Sequence, residues 1–329
     1  MAALLEVDNL RVDLPTPNGV LHAVRGIDLR LERGELLCVV GESGCGKSMT
    51  SLALMDLLPR HAQRRADRLA FDGIDLLSLE RRAMNGLRGN RIAMIFQDPM
   101  TSLNPAYTLG NQLCEALRRH RGASLAQARE RAVHLLERAG VAHAAERLRQ
   151  YPHQLSGGLR QRVMIAMALM CEPDLIIADE PTTALDVTIQ AEILRMLREL
   201  QREFGTAVLF ITHDLGVVSR IADRVAVMYA GEVVETASAA QLFARPAHPY
   251  TRGLLNCIPV RGKTRPGSRL DAIAGVVPSL VGNIDGCAFR NRCALARDAC
   301  AQTPAFVDAG GGHRARCVLV ESACEEISR

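Results

Sequence analysis

The stretch Gly41–Ser48, which reads GESGCGKS, has the residue types and spacing needed to bind phosphate groups. It matches the pattern GxxxxGK[ST] at every fixed position. The glycines let the backbone form a concave turn whose N–H groups point at phosphate oxygens. Lys47 adds a positive charge, and the Ser48 hydroxyl can bind Mg²⁺. The sequence therefore predicts a nucleotide site, with candidate residues Gly41, Ser43, Gly44, Cys45, Gly46, Lys47, Ser48 and Met49.

The segments around this loop fit that prediction. The apolar run Leu36–Val40 predicts a buried strand that enters the loop. Residues 47–58 predict a helix whose positive N-terminal end faces the phosphates. Cys45 lies inside the loop, where it reads either as an ordinary variable position or as a reactive thiol. The second hypothesis rests on the helix N-terminus lowering the pKa of Cys45.

A pair of acidic residues, Asp179 and Glu180, follows another apolar run at 174–178. A Mg²⁺ ion beside a triphosphate needs a carboxylate, so Asp179 is the candidate metal ligand. Glu180 is then placed to orient or deprotonate the attacking water. The alternative is that the two acids only cap the next helix.

The segment 155–162, LSGGLRQR, precedes that strand, and here the chain resembles the ATP-binding cassette (ABC) ATPases over residues 1 to about 255. The resemblance implies that Ser156, Gly157 and Gly158 contact the γ-phosphate bound by the other cassette of a dimer. A Ser hydroxyl and N–H groups at a helix start form a suitable anion site. Leu159 replaces the family's Gln at the fifth position, and we expect this to leave the Ser and Gly contacts intact.

Three further residues match landmarks of the same family. The resemblance assigns Gln97 to sensing Mg²⁺ and water, His213 to holding the γ-phosphate, and Asp186 of Ala184-Leu185-Asp186 to the dimer interface. The expected catalytic residues are therefore Glu180, His213 and Gln97, and the expected Mg²⁺ site is Ser48, Gln97 and Asp179. One family feature is missing, because residues 1–70 contain no Phe, Tyr or Trp to stack on adenine; His22 or the apolar residues near it are candidate substitutes.

The pattern of elements indicates the fold class. Apolar runs at 92–96, 174–178, 207–211 and 224–229 predict strands, and helices are predicted at Ser124–Ala139 and Thr188–Phe204. Alternating strands and helices indicate an α/β fold with a mostly parallel sheet, in which ligands bind beyond the carboxyl ends of the strands. With the resemblance, we expect a P-loop NTPase core, an antiparallel β subdomain from the short N-terminal strands (4–7, 21–24 and 27–31), and a helical signature subdomain at about 100–170. The basic run 60–68 is expected to be a solvated loop, with a lipid-facing role as a minor alternative.

Composition narrows the function classes. The chain has 329 residues, a net charge of +4, 3% aromatic residues and no Trp, which argues against nucleic-acid binding. No apolar run approaches the ~18 residues that a membrane span needs. The N-terminus is too acidic for a signal peptide. We therefore expect a cytosolic protein that docks on a membrane through partners.

A second resemblance covers the C-terminal extension, residues 256–329, and the segment just before it. His248-Pro249-Tyr250-Thr251, residues 272–278 and residues 286–293 are similar to the ATPases of oligopeptide and dipeptide importers. Cys287, Cys293, Cys300 and Cys317 have the spacing C-x5-C-x6-C-x16-C, which is no standard zinc or ferredoxin pattern. By spacing alone, a metal site and reduced thiols are equally open. The resemblance favours a [4Fe–4S] cluster, with Cys324 left free.

The two resemblances predict an ATPase subunit that powers import of dipeptides or oligopeptides on the cytoplasmic face of the inner membrane. The expected cofactors are ATP and Mg²⁺. The expected partners are a second, different ATPase subunit, two transmembrane permeases and a periplasmic or extracellular substrate-binding protein, without nucleic acid. The alternatives are an importer of nickel, glutathione or haem-like cargo, or a non-transport ABC ATPase in DNA repair or translation.

Overall fold

The computed structural model describes residues 3–183, 186–258 and 272–320. The chain divides into two compact units. The first contains Leu31–Leu36 and Ser78–Ile211 together with the extreme N-terminal residues. The second contains Leu5–Arg30, Leu37–Leu77 and the described residues from Thr212 onward. No helix in the described ranges is long and apolar enough to span a membrane.

The second unit contains an antiparallel sheet built from the N-terminal third of the chain. Its strands are β1 (Leu5–Thr16), β2 (Gly19–Leu31), β4 (Gln63–Arg65), β5 (Arg68–Phe71) and β6 (Ile74–Asp75). They lie in the order β2-β1-β5-β6, with β4 also paired to β1. One face is apolar: Leu5 and Val7 are buried before Asn9, whose φ is +50°, and Leu10 and Val12 are buried after it.

The same unit holds the strand that leads into the phosphate loop. Strand β3 (Leu36–Val40) pairs in parallel with β10 (Arg224–Tyr229), which pairs antiparallel with β11 (Glu232–Ser238). A C-terminal hairpin, β12 (Val307–Asp308) and β13 (Arg314–Ala315), continues from β11. The helices of this unit are α1 (Lys47–Leu54), α9 (Leu215–Ile221), α10 (Ala239–Ala244) and α11 (Pro249–Asn256), with 3₁₀ turns at Arg290–Arg292 and Asp298–Ala301.

The first unit has a parallel sheet, β7 (Ile92–Ile95), β8 (Leu175–Asp179) and β9 (Ala207–Thr212), with β8 between the other two. Strands β8 and β9 are buried along their whole length, as strands covered on both faces should be. Its helices are α2 (Arg81–Leu87), α3 (Pro99–Ser102), α4 (Leu109–Arg121), α5 (Leu125–Arg138), α6 (Ala144–Arg147), α7 (Gly157–Ala168) and α8 (Val187–Phe204), with a 3₁₀ turn at Pro152–Gln154.

The major helix predictions agree with the structure. Helix α5 begins at the N-cap Ser124, which forms a capping box with Gln127. Helix α8 is capped by Asp186 and ends at Gly205, whose φ of +63° suits glycine. The region expected to be helical, about 100–170, contains α3 to α7.

Several local predictions were wrong. The helix after the phosphate loop ends at Leu54 rather than Leu58, and Asp56 takes a φ of +51°, which no α-helix tolerates. The strands expected at 21–24 and 27–31 form one strand, β2. The basic run is not simply a loop, because residues 63–65 form β4. Arg65 there lies opposite Arg11 of β1 and pairs with the Asp13 carboxylate at 2.6 Å.

The C-terminal region is attached to β11 through a buried carboxylate. Glu235 is fully buried, and its oxygens accept hydrogen bonds from the backbone N–H groups of Ala247 and His248, each at 2.8 Å. Its Oε1 also lies 2.7 Å from His313 Nε2, just before β13. Burial lowers the pKa of His248 to about 4, so its ring is neutral and Nδ1 accepts a bond from the Tyr250 N–H.

We expect Glu235→Ala to lower the free energy of unfolding by about 3–5 kcal/mol, because it leaves buried donors unpaired. Urea denaturation followed by circular dichroism measures the change. Glu199→Gln, at an exposed position of α8, is the control and should leave the midpoint unchanged. An unchanged midpoint for Glu235→Ala would mean that this network does not hold the C-terminal region.

Candidate functional site

The phosphate loop connects β3 to α1, and two of its glycines are required by close contacts. A Cβ atom at Gly41 would lie 2.2 Å from the Met228 carbonyl oxygen, and one at Gly46 would lie 2.3 Å from the Ala23 carbonyl oxygen. Gly46 also has a φ of +102° and directly precedes the first residue of α1. Larger residues at either position would displace the loop, so the glycine spacing of the motif follows from packing as well as from phosphate binding.

Lys47 is held over the loop by the loop's own backbone. Its Nζ donates to the carbonyl oxygens of Gly41 at 2.8 Å and Glu42 at 3.0 Å, and the residue is only 5% exposed. These carbonyls compensate the buried ammonium charge. A phosphate oxygen is a stronger acceptor for the same ammonium, so the side chain is already placed for an incoming anion.

The reactive-thiol hypothesis for Cys45 is wrong about the direction of the pKa shift. Cys45 is 1% exposed, and burial raises the pKa of its thiol. The Lys47 ammonium nearby opposes this effect but does not overcome it. The helix N-terminus therefore does not make a thiolate here, and the variable-position interpretation stands.

We expect alkylation of Cys45 by iodoacetamide at mildly alkaline pH to be slower than that of the half-buried Cys257, even without nucleotide. Peptide mapping by mass spectrometry after timed quenching separates the two thiols. Preferential labelling of Cys45 would show that its thiolate forms more easily than burial predicts.

Glu180 follows the last residue of β8 in an unusual conformation. Its φ is +45°, in the left-handed region that non-glycine residues rarely adopt, and its N–H donates to the Ile211 carbonyl at 2.9 Å. The carboxylate atom Oε2 accepts hydrogen bonds from Gln97 Nε2 at 3.1 Å and Thr183 Oγ1 at 3.0 Å. The first unit thus brings together Gln97 and Glu180, which the sequence predicted as catalytic residues.

Asp179 directly precedes Glu180 as the last residue of β8. It is 5% exposed and lies opposite Ile211 of β9 in the parallel ladder. A buried carboxylate at the carboxyl end of a strand is a suitable ligand for Mg²⁺. The two acids do not cap a helix, because the next helix, α8, has Asp186 as its N-cap.

The segment LSGG leads into α7. The Ser156 hydroxyl caps this helix by accepting a bond from the Leu159 N–H at 3.4 Å, and Ser156 and Gly157 are exposed. Gly158 is buried, and a Cβ there would lie 3.0 Å from Ile189 of α8. The helix N-terminus and the serine therefore face solvent, where an anion from outside this chain has access.

The other predicted residues are distributed over both units. In the first unit, Asp186 is exposed and caps α8 through the N–H groups of Thr188 and Ile189. Ala184 and Leu185 lie outside the described residues. In the second unit, His213 is exposed and follows β9. His22, the candidate for adenine contact, has its Nδ1 2.6 Å from Asp13 Oδ1.

The four C-terminal cysteines Cys287, Cys293, Cys300 and Cys317 line one pocket, together with apolar residues such as Phe289. Burial raises the pKa of Cys287 to about 11, and the neighbouring thiols add to the rise. Burial also raises the pKa values of Cys293 and Cys317. Within the described ranges, no group of three or more His, Cys, Asp or Glu side chains is close enough to form a metal site. Cys324 lies outside these ranges.

Two side chains from the segments that resemble importer ATPases, which the sequence did not link to nucleotide binding, contact the phosphate loop. Tyr250 and Arg292 both bind Glu42, the second residue of the motif. An acidic residue inside a loop that binds an anion indicates that a cationic side chain lies nearby, because its negative charge must be neutralised. Tyr250 and Arg292 lie 208 and 250 residues after Glu42, so the sequence does not show that they supply these contacts.

Two family models match the chain. The model described as "ABC transporter" matches residues 24–183, and that described as "Oligopeptide/dipeptide transporter, C-terminal region" matches residues 234–300. A probable peptide ABC transporter ATP-binding protein, y4tR of Sinorhizobium fredii, is 51% identical over 95% of this chain and 94% of its own. The dipeptide transport ATP-binding protein DppD of Bacillus subtilis is 48% identical over 99% and 97%.

Solved structures of ATP-binding cassettes share the fold. The cassette MJ0796, solved as a dimer in a post-hydrolysis state bound to ADP and Pi, aligns with a TM-score of 0.64 at 28% identity. The alignment covers 71% of this chain and 98% of that one. CbiO1 of Clostridium perfringens, part of the transporter complex cbiONQ, aligns with a TM-score of 0.63 at 28% identity over 74% and 92%.

Proposed function

This chain belongs to the family of peptide ABC transporter ATP-binding proteins, and from that premise we propose that it is the ATPase subunit of an importer for dipeptides or oligopeptides. The proposal rests on one observation. The same chain matches the ABC transporter model in residues 24–183 and the oligopeptide/dipeptide transporter model in residues 234–300. Similarity to peptide transport proteins over 95–99% of the chain favours peptides over nickel, glutathione or haem. It also disfavours DNA repair and translation.

The residues of the phosphate loop bind the triphosphate of ATP. Lys47 exchanges its carbonyl partners for phosphate oxygens, and the N–H groups at the start of α1 add further donors. When ATP is bound, Mg²⁺ neutralises part of the phosphate charge, and Ser48, Asp179 and Gln97 are the residues proposed to hold it. Met49, Ser43 and the loop glycines complete the nucleotide contacts. His22 is the proposed neighbour of adenine.

Hydrolysis requires a base for the attacking water, and Glu180 is proposed in that role. Donors from Gln97 and Thr183 fix its carboxylate, so the oxygen that takes the proton is positioned in advance. His213 is proposed to bind the γ-phosphate. The exposed Ser156 and Gly157, with Gly158, are proposed to bind ATP held by a second cassette, and Asp186 to lie at that interface. Two such cassettes close on two ATP molecules.

The proposed partners are two transmembrane permeases, a substrate-binding protein and a second, different ATPase subunit, with the complex on the cytoplasmic face of the inner membrane. Affinity purification of the tagged chain from detergent-solubilised membranes tests this. We expect two multi-span proteins and a second cassette ATPase to co-purify. Recovery of the permeases with this chain as the sole ATPase would indicate a homodimer and contradict the heterodimer. Recovery with ribosomes or DNA instead would contradict the transport function.

We also propose that the four C-terminal cysteines hold a [4Fe–4S] cluster. The support is the donor set alone. Four thiols line one pocket, although as placed they are not close enough to form a metal site, and a bound cation would favour the thiolate form that burial disfavours. Iron, sulfide and zinc analysis of anaerobically purified protein, with its visible absorption spectrum, is the test. Stoichiometric iron and sulfide that Cys300→Ser removes are expected. Zinc instead, or no metal at all, would contradict the cluster.

A further inference from the structure

The phosphate loop is held from outside by two residues of the C-terminal half of the chain. Arg292 forms a two-pronged ion pair with Glu42, with Nη1–Oε2 at 2.6 Å and Nη2–Oε1 at 3.0 Å. The Tyr250 hydroxyl accepts a hydrogen bond from the Glu42 backbone N–H at 2.9 Å. All three residues belong to the second unit. Glu42 is therefore fixed at both its side chain and its backbone.

Arg292 is itself fixed in place. Its side chain is 4% exposed, and its Nε and Nη2 donate to the carbonyl oxygens of Ala274 at 3.0 Å and Ile273 at 3.2 Å. The guanidinium carbon lies 5.8 Å from the ring centre of Tyr229 and 5.9 Å from that of Phe289. A planar cation with this many partners loses little freedom when it binds a carboxylate. Arg292 also directly precedes Cys293, a residue of the cysteine pocket.

Tyr250 is equally rigid. It is fully buried in the first turn of α11, after the N-cap His248 and Pro249. Its ring centre lies 4.6 Å from that of Tyr229 and 5.3 Å from that of Phe289. Such contacts between aromatic rings restrict the movement of the Tyr250 ring and hence of its hydroxyl. The HPYT segment therefore has a structural role, because it positions this hydroxyl against the phosphate loop.

These contacts act on ATP binding in two ways. First, the loop contains three glycines, whose backbones lose much conformational freedom when the loop is ordered, and a fixed Glu42 reduces that cost at the moment of binding. Second, the Glu42 carboxylate lies within the loop that must bind a triphosphate. Without a cationic partner this carboxylate would repel the phosphates, and Arg292 neutralises it.

We propose that Arg292 and Tyr250 form a clamp on Glu42 that positions the phosphate loop and cancels its negative charge, so that the C-terminal region controls ATP affinity. This inference rests on the proposed function in one respect, because it requires the loop to bind ATP. The clamp residues are positioning residues, since they act through Glu42 and not on the nucleotide directly.

The test is a double-mutant cycle on the full chain, read as the Kd of a fluorescent ATP analogue. Arg292→Ala leaves Glu42 charged and unpaired, so we expect the Kd to rise about 10-fold. Glu42→Gln alone should change it about 2-fold, and in the Glu42→Gln background Arg292→Ala should lose most of its effect. Arg292→Lys, which keeps the charge, should restore part of the affinity. The turnover number kcat should stay near that of the wild type while KM follows Kd.

Arg297→Ala is the matched control, because it removes one exposed arginine from the same region. Its Kd should equal that of the wild type. If Arg292→Ala does not fold, as judged by circular dichroism, Arg292→Lys and Glu42→Gln still define the cycle. Equal Kd values for wild type and Arg292 variants, or the same Arg292 effect with and without the Glu42 carboxylate, would overturn the clamp. Failure of the wild type to bind ATP would instead overturn the proposed function.

Discussion

Replacing Glu180 by Gln is expected to reduce steady-state ATP hydrolysis by roughly 100- to 10,000-fold while ATP binding is retained. The substitution keeps the size of the side chain and one oxygen that can accept bonds from Gln97 or Thr183. It removes the ability to take a proton from water. The loss therefore falls on kcat, and the Kd for ATP should change by no more than about 3-fold.

Phosphate release measures kcat, and titration with a fluorescent ATP analogue measures Kd. Glu199→Gln provides the control, because it removes one exposed carboxylate from α8 of the same unit and should leave both quantities unchanged. If Glu180→Gln hydrolysed ATP at the wild-type rate, another group would have to be the base. A loss of ATP binding would instead indicate that the left-handed backbone at residue 180 fails to form with Gln.

The phosphate loop and its flanking elements could be predicted because the chemistry there is local. The glycine spacing, Lys47 and Ser48 all lie within eight consecutive residues, and an apolar strand precedes them. Helices α5 and α8 were predictable for the same reason, since local signals mark their ends: Ser124 before α5 and Gly205 after α8. Capping signals act within one helical turn, so they can be recognised in the sequence.

Contacts between distant segments could not be predicted. The partners of Glu42 lie more than 200 residues away, and although both fall in the segments that resemble importer ATPases, nothing in the sequence pairs them with Glu42. Strand β4 was missed because charged residues seldom form strands, whereas Arg65 there pairs with Asp13 of β1. The reactive-thiol alternative for Cys45 failed because the sequence shows the helix N-terminus but not the depth of burial, which raises the pKa of the thiol.

Two buried glutamates, Glu235 and Glu180, differ in their surroundings and in the roles assigned to them. Glu235 is fully buried and serves structure, with two backbone N–H groups and His313 around it. Glu180 accepts hydrogen bonds from the side chains of Gln97 and Thr183 and has a left-handed backbone. Backbone N–H partners on both oxygens indicate a structural carboxylate, whereas a left-handed backbone at the carboxyl end of a strand is typical of a reacting one.

Lys47→Ala is expected to raise the Kd for ATP by roughly 100-fold or more, the largest effect on binding of any variant considered. Hydrogen bonds to charged groups contribute about 1.5–3 kcal/mol each, and Lys47 exchanges two carbonyl partners for phosphate oxygens. Lys47→Arg should not rescue binding, because the planar guanidinium is too large for a site where the side chain is 5% exposed. The same titration that tests Glu180→Gln measures both variants.

Substitutions of Lys47 and of Arg292 should differ in whether another cationic side chain restores ATP binding. Arg292→Lys should recover part of its affinity because charge is what Glu42 needs, whereas the position of Lys47 demands the shape of an ammonium group as well. Arg297→Ala again controls for loss of positive charge. A wild-type Kd for Lys47→Ala would mean that Nζ stays on the carbonyls of Gly41 and Glu42 during binding. Lys47 would then brace the loop from within, as Arg292 and Tyr250 brace it from outside.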